Sequence, residues 1–441
     1  MKDRTTLIDS DRLRERLVDL VRIPSVTGEE ELAIRHIANW LSDSGAEVDY
    51  WYDGIAKLLG DPDYPGHEVE RGWIPVVAGL VRGPRHGPTS LLTGHVDVVP
   101  PGDYDQWSAD PFLGEVKGDR VYGRGAADMK SGLIAALEAF EAFARGPRDF
   151  PGRVVFVAVP AEEDSGLGTL AAIRRGWSAD AAIIPEPTCS AGKPHIVLAH
   201  AGAMSCTLEV AGLAAHASTR LAGESALDHY LTIHQVLRRA EAQLNAAEEN
   251  PLMRALELPY ATNVGIVQGG TWSSSVMDRL QVELRVGVAL GETTTEAKAR
   301  FERSLMAGIA DDPWLREHPP VIRWKAAGFG SAGTPLNHPL VETLADAGEL
   351  VFGERPATVG APYGCDMAGW VRLAGTPTVL FGPGELSEAH AANESVALST
   401  TEQVAQTLVR TTSALLDMDP AKLRPNAGRR ASFESGSDTA P

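Results

Sequence analysis

Cysteine is scarce in this chain. Only Cys189, Cys206 and Cys365 occur among 441 residues, far apart and with no CxxC pair. Neither a disulfide framework nor a thiolate zinc site is expected, and a cytoplasmic, reducing setting is. Basic residues are also short, with 40 Lys and Arg against 59 Asp and Glu and a net charge of -19. Such a balance disfavours nucleic acid and anionic membranes as partners, because both require basic surface. Long apolar runs are missing too. None approaches the ~20 residues of a membrane span. The charged opening MKDRTTLIDSDRLRERL has no signal core.

What remains is ordinary globular material, 44% apolar and 22% charged. Its length suits two large domains or about three small ones. DRLRERLVDLVRI (11–23) and EEELAIRHIANWLSDSG (29–45) carry apolar residues at helical spacing, and 53–75 reads as a long loop. Short apolar runs then alternate with helical stretches. Strands are expected at 88–100, 153–160 and 180–187, and helices at 129–146 and 169–177. That alternation predicts a mixed α/β sheet covered by helices.

The middle has a different texture. AMSCTLEVAG (203–212), ATNVGIVQGG (261–270) and DRLQVELRVGV (278–288) alternate like strands with one wet face. Helices are expected at about 224–246 and 293–310. The earlier style returns with a helix at 337–353, a strand at 376–384 and a helix at 401–417. The expected organisation is one α/β domain (1–202 and 314–418) interrupted by an α+β insertion (203–313). The polar stretch 419–441 is expected to be a disordered tail.

Acids and histidines fall at telling places. His95 and Asp97 close the run LLTGHVDVV, and Asp128 precedes a helix in GRGAADMKSG. Glu162 and Glu163 follow VVFVAV, Glu186 follows AAII, and His390 follows TVLFGPG by a short loop. Singly, each is an ordinary loop residue. Together they sit where parallel strands bring their carboxyl ends to one edge, the usual place for a ligand. Imidazole and carboxylate donors suit Zn²⁺, with Co²⁺ or Mn²⁺ as substitutes. Two ions ~3.5–4 Å apart need one bridging carboxylate and terminal ligands for each. His95, Asp128, Glu163, Glu186 and His390 supply that set. Glu162 is left over, free to serve as general base. Asp97, two residues beyond His95, is placed to orient its imidazole.

With these residues in view, the sequence resembles the cocatalytic zinc peptidase and deacylase family, which includes acetylornithine deacetylase, succinyl-diaminopimelate desuccinylase, aminoacylase and glutamate carboxypeptidase. TGHVDVVP, GRGAADMKSG, AEEDSG, IIPEPT and FGPGELSEAHAANE carry the likeness in the family's order. The resemblance implies two Zn²⁺: one held by His95, Asp128 and Glu186, the other by Asp128, Glu163 and His390. It also implies that Glu162 is the base and that the insertion is a lid and dimerisation domain. His216, in GLAAHASTR, would reach across a homodimer to the oxyanion. Asn263 and Arg285 would bind substrate, with Arg220 a further candidate for the substrate carboxylate.

Departures bear on specificity. TWSSSVMDR follows QGG where the family has an Asn and a Pro. Asp366 fits the family pattern, but Ala368 and Gly369 stand where desuccinylases carry an arginine, and Ala392 replaces a common proline. The expected reaction is hydrolysis of a small amide, an N-acyl amino acid or short peptide, in the manner of acetylornithine deacetylase. A dipeptidase or carboxypeptidase, a metal-binding scaffold without turnover, and amide formation in the reverse direction are the rivals.

Overall fold

The computed structural model describes residues 4–424. Its main sheet has ten strands. Seven of them position the site: β1 (Glu47–Gly54), β2 (Trp73–Arg82), β3 (Arg85–His95), β4 (Pro151–Val159), β5 (Ala181–Ser190), β6 (Ile196–His200) and, late in the chain, the strand Thr378–Glu385. Their order is β1-β2-β4-β3-β5, then Thr378–Glu385, then β6. The centre is parallel, with β3 paired to β4 and β5, and β5 paired to Thr378–Glu385. β1, β2 and β6 pair antiparallel at the flanks.

β4 explains why the sheet is covered twice. Val154, Phe156 and Ala158 enter one apolar cluster, while Val155, Val157 and Val159 enter the other. Successive side chains of a strand point to opposite faces, so an unbroken apolar run needs cover on both. On the first face lies the helix Ser131–Ala144, buried throughout Ser131–Phe143. Its two carboxylates, Glu138 and Glu141, are buried against Arg16 at 2.9 and 3.0 Å. Paired charges of this kind can remain inside, whereas a lone one would cost several kcal/mol.

A second sheet stands apart, with strands β7 (Gly202–Ala211), β8 (Thr262–Gly269), β9 (Arg279–Val288) and β10 (Val321–Phe329). Its order is β8-β9-β7-β10, antiparallel throughout. Leu280, Val282 and Leu284 point to one face and pack with Ile233 and Leu237 of the helix Ala226–Ala246 and with Phe301 and Leu305 of Thr294–Ile309.

Three local expectations need correction. The sheet takes in Val321–Phe329, beyond residue 313, which pairs antiparallel with β7; as a half-exposed edge strand it lacks the clean alternation that would reveal it in the sequence. The stretch 53–75 contains the end of β1, a short helix Ile55–Leu58 and the start of β2. Pro75 obscures β2 in the sequence. It is tolerated because β2 pairs there with β1 alone, the β4 ladder beginning at Val77. Within 419–441, Pro420–Leu423 forms a helix capped by Asp419, with Leu423 buried. An N-cap Asp followed by Pro is a helix-start signal that polarity masked. The rest of that expected tail, 425–441, lies outside the described residues.

No described helix is long and apolar enough to cross a membrane.

Candidate metal centre

Parallel pairing brings the carboxyl ends of β3, β4, β5 and Thr378–Glu385 to one edge. His95 is the last residue of β3, and Glu162 and Glu163 follow β4 in a tight turn. Glu186 lies within β5, and His390 comes five residues after the last strand. The distant residues meet there. His95 Nε2 lies 3.5 Å from Asp128 Oδ1, 3.7 Å from Glu186 Oε2 and 3.9 Å from Glu162 Oε2. His390 Nε2 lies 3.4 Å from Asp128 Oδ2 and 3.1 Å from Glu163 Oε2.

Two donors held 2.0–2.1 Å from one tetrahedral ion are themselves roughly 3.4 Å apart. The spacings above fall around that value. Glu163 Oε1 and Glu186 Oε1 are buried with no hydrogen-bond partner among the described residues, which suits oxygens that ligate a cation. His95, Asp128 and Glu163 each offer an atom within 4.8 Å of the others. The donor set thus fits a divalent metal on chemistry as well as spacing.

Backbone and neighbours hold this cluster in place. Ala161 (φ 62°) and His390 (φ 60°) adopt left-handed conformations that few side chains tolerate, a form of strain common at functional sites. Asp97 accepts the Glu162 N–H at 3.1 Å and the Glu163 N–H at 3.0 Å, one on each carboxylate oxygen. Its main-chain carbonyl, not its carboxylate, makes the 2.9 Å bond to His95 Nδ1. The sequence expectation for Asp97 is therefore amended: its carboxylate fixes the glutamate turn, and its backbone orients the imidazole. Glu394, given no role by the sequence reading, accepts from the N–H groups of Gly125, Ala127 and Asp128 at 3.0, 2.8 and 3.0 Å. Its only sequence signal is a polar residue closing the AHAANE stretch.

The field inside the cluster is strong. Contacts with Asp128 and Glu163 raise His390 to about 10. Burial alone would lower His95, but Glu186, Asp128 and Glu162 outweigh it and hold its imidazole well above the usual range. Burial, then the neighbouring Glu186, Asp366 and Glu163 carboxylates, push Glu162 well up. Burial lifts Glu186 to about 7. Burial opposes ionisation of Asp128 too, yet the two imidazoles win and its pKa falls far below the ordinary carboxylate value.

A cavity of about 460 Å³ opens over the cluster. Arg285 lines it from β9 and makes no ion pair among the described residues. A profile of peptidase family M20/M25/M40 matches residues 91–414, from β3 past His390.

The chain belongs to that family.

Membership makes it a metal-dependent hydrolase of amide bonds. It is 26% identical over 401 residues to N-formyl-4-amino-5-aminomethyl-2-methylpyrimidine deformylase of Bacillus subtilis, covering 86% of this chain and 87% of that one. It is 29% identical over 415 residues to succinyl-diaminopimelate desuccinylase of Methylobacterium sp. (strain 4-46), covering 91% and 95%. Among solved structures, the M20 metallo-carboxypeptidase Sso-CP2 of Sulfolobus solfataricus superposes with TM-score 0.71 at 16% identity, covering 92% of this chain and 100% of that one. The di-peptidase Dug1p of Saccharomyces cerevisiae does so with TM-score 0.71 at 15% identity, covering 94% and 98%. These two share the fold, a catalytic layer structure with an inserted domain.

The remaining family-implied residues are not gathered at the cluster within one chain. His216 sits exposed at a turn, its Nδ1 accepting the Ser218 N–H at 3.1 Å. Arg220 lines a separate cavity with His229. Asn263 is exposed on β8, directly opposite Arg285 across the ladder.

Proposed function

We propose that this chain hydrolyses the N-acyl bond of a small amide, foremost an N-acyl amino acid, at a pair of Zn²⁺ ions. One observation carries the reading: the two oxygens of Asp128 face two different histidines, while Glu162 stands beside them at the end of β4. His95, Asp128 and Glu186 would hold one ion, and Asp128, Glu163 and His390 the other, with Co²⁺ or Mn²⁺ as substitutes. When bound, such ions polarise the amide carbonyl and acidify water.

The chain's own residues do the rest. Glu162, raised by burial and by neighbouring carboxylates, suits a group that takes a proton from water and returns it to the leaving amine. Asp97 fixes its backbone, so the carboxylate need not reorganise during the reaction. Arg285, unpaired at the cavity wall, suits a substrate carboxylate, with Asn263 opposite it. His216 and Arg220, exposed on the inserted unit, would serve the site of a second copy. The exposed Ile266 and Val267 of edge strand β8 and Trp272 beyond it support a homodimer through this sheet. Three free, buried cysteines suit the cytoplasm.

A dipeptidase or carboxypeptidase would use the same groups, since Arg285 can equally receive a peptide's terminal carboxylate. Assay of the zinc-loaded protein against N-acetyl, N-formyl and N-succinyl amino acids and against dipeptides separates the two. Turnover of acyl amino acids over dipeptides supports deacylation. The reverse preference overturns it, and two bound ions without turnover of any amide point to a scaffold.

A further inference from the structure

Residues 59–72, between the short helix Ile55–Leu58 and β2, form a strap across the end of the main sheet. Three separate contacts pin it. Arg174 holds Asp61 with bonds of 2.6 and 2.8 Å. Gly66 lies so close to β10 that a Cβ there would stand 2.2 Å from the Ala326 carbonyl, and Pro65 accepts the Gly328 N–H at 3.2 Å. Gly66 also has φ +87°, so only glycine suits the position. The third contact is Arg71.

Arg71 is an unusual cation for a loop, with its side chain only 4% exposed. It lies between two acids that are equally enclosed: Glu30 Oε1 at 3.0 Å and Asp164 Oδ2 at 3.8 Å. Among the described residues, no other cation is within ion-pair range of either. The same Asp164 oxygen accepts the Val69 N–H at 3.3 Å. Asp164 directly follows Glu162 and Glu163. The turn carrying the two glutamates is therefore held at both ends, by Asp97 before and by the strap after.

The circuit closes on itself. Glu30 accepts the Gly28 N–H at 2.8 Å, and the neighbouring Thr27 hydroxyl donates to Asp97 Oδ2 at 3.2 Å. Asp97, the backbone of the glutamate turn, Asp164, Arg71, Glu30 and the 27–28 segment form a closed circuit, of which the glutamate turn and Asp164 line the cavity. Besides the two glutamates of the turn, it contains three carboxylates, Asp97, Asp164 and Glu30, and a single cation, Arg71.

We infer that Arg71 is a positioning residue for Glu162, holding Asp164 inward so that the glutamate turn keeps its place over the cluster. The inference rests on the reading of Glu162 as the base. Removing the guanidinium leaves Glu30 and Asp164 buried and uncompensated, close to Asp97. Such a state relieves itself by moving a carboxylate to water. Asp164 is the one with a route out, since it already lines the open cavity. Its departure drags Glu162 with it, and a displacement of about 1 Å at a reacting group costs about 100-fold in rate.

The test compares Arg71→Met, Arg71→Lys and Glu162→Gln as zinc-loaded proteins, each assayed for kcat, KM and bound zinc on the amide the wild type turns over. Arg71→Met is expected to lower kcat by about 100-fold, with KM within about twofold and zinc content unchanged. Arg71→Lys is expected to fall between, because one ammonium cannot fork to both acids. Should Arg71→Met fail to fold, Arg71→Lys decides alone: at least about a tenfold loss of kcat at wild-type zinc content supports the role. Wild-type kcat in either folded variant overturns it, as does a loss explained by missing zinc or by KM. Glu162→Gln separates the two readings. If it keeps full turnover, the base assignment falls and this inference with it. If it is inactive while Arg71→Met is normal, only the role of Arg71 falls.

Discussion

Asp128 turns one carboxylate oxygen to each of two histidines, Oδ1 to His95 at 3.5 Å and Oδ2 to His390 at 3.4 Å. A group shared in this way couples both halves of the cluster. Asp128→Asn should therefore lose more than one ligand's worth of metal. The expected outcome is at most one zinc per chain and no measurable turnover, read by metal analysis of dialysed protein. Two tightly held ions in the variant would contradict the shared role.

Cation binding should expel protons. Asp128 and Glu163 raise His390 to about 10, and His95 is held high by its carboxylates, so both imidazoles favour the protonated form when no cation is bound. A cation needs them neutral. Zinc titration of the metal-free protein by calorimetry, in two buffers of different ionisation enthalpy, should show net proton release. Affinity should weaken as pH falls. Identical heats in both buffers would count against the assigned ligands.

His216 is exposed and is not among the residues lining the cavity of its own chain. His216→Ala should lower kcat by about 10²–10³, the range for loss of an oxyanion donor, with little change in thermal stability. On the proposed reach of His216 into a second copy's site, mixing the impaired His216→Ala and Glu162→Ala chains should restore activity, because a mixed dimer would contain one site with both groups. No recovery after confirmed subunit exchange would place His216 outside the reaction.

His200 offers a pH test of stability away from the cluster's ligands. It is fully buried, its Nδ1–H donating to the Ala201 carbonyl at 2.7 Å while Nε2 has no hydrogen-bond partner among the described residues. Burial lowers its pKa from 6.5 to about 4. The native imidazole stays neutral where the unfolded one takes up a proton. Its contribution is therefore complete above about 6.5 and is lost as pH falls towards 4, by up to about 3 kcal/mol. Melting temperature from pH 7.5 down to 4.5 should fall more steeply for wild type than for His200→Gln. Parallel curves would contradict this.

The sequence made the site more legible than the frame around it. His95, the Glu162–Glu163 pair, Glu186 and His390 each close or follow an apolar run, and parallel strands bring such positions to one edge, so their convergence could be argued from pattern; Asp128, which precedes a helix, was placed by the motif around it. β1 and β2 were hidden because Pro75 and the polar strap between them look like loop. β10 was hidden because an exposed edge strand has no periodic burial to advertise. Arg71, Asp164 and Glu394 could not be found from pattern. Their partners lie dozens to hundreds of residues away, and a charged residue in a polar stretch looks solvated until its neighbours are known.

One measurement bears most directly on the cluster as a whole: zinc content and turnover of Glu162→Gln, determined on the same sample beside wild type. The expected result is two zinc ions per chain in both, with turnover reduced by about 10²–10⁴ in the variant. Wild-type turnover at full zinc content, or a variant that cannot retain zinc, would contradict a metal pair served by a separate proton-carrying glutamate.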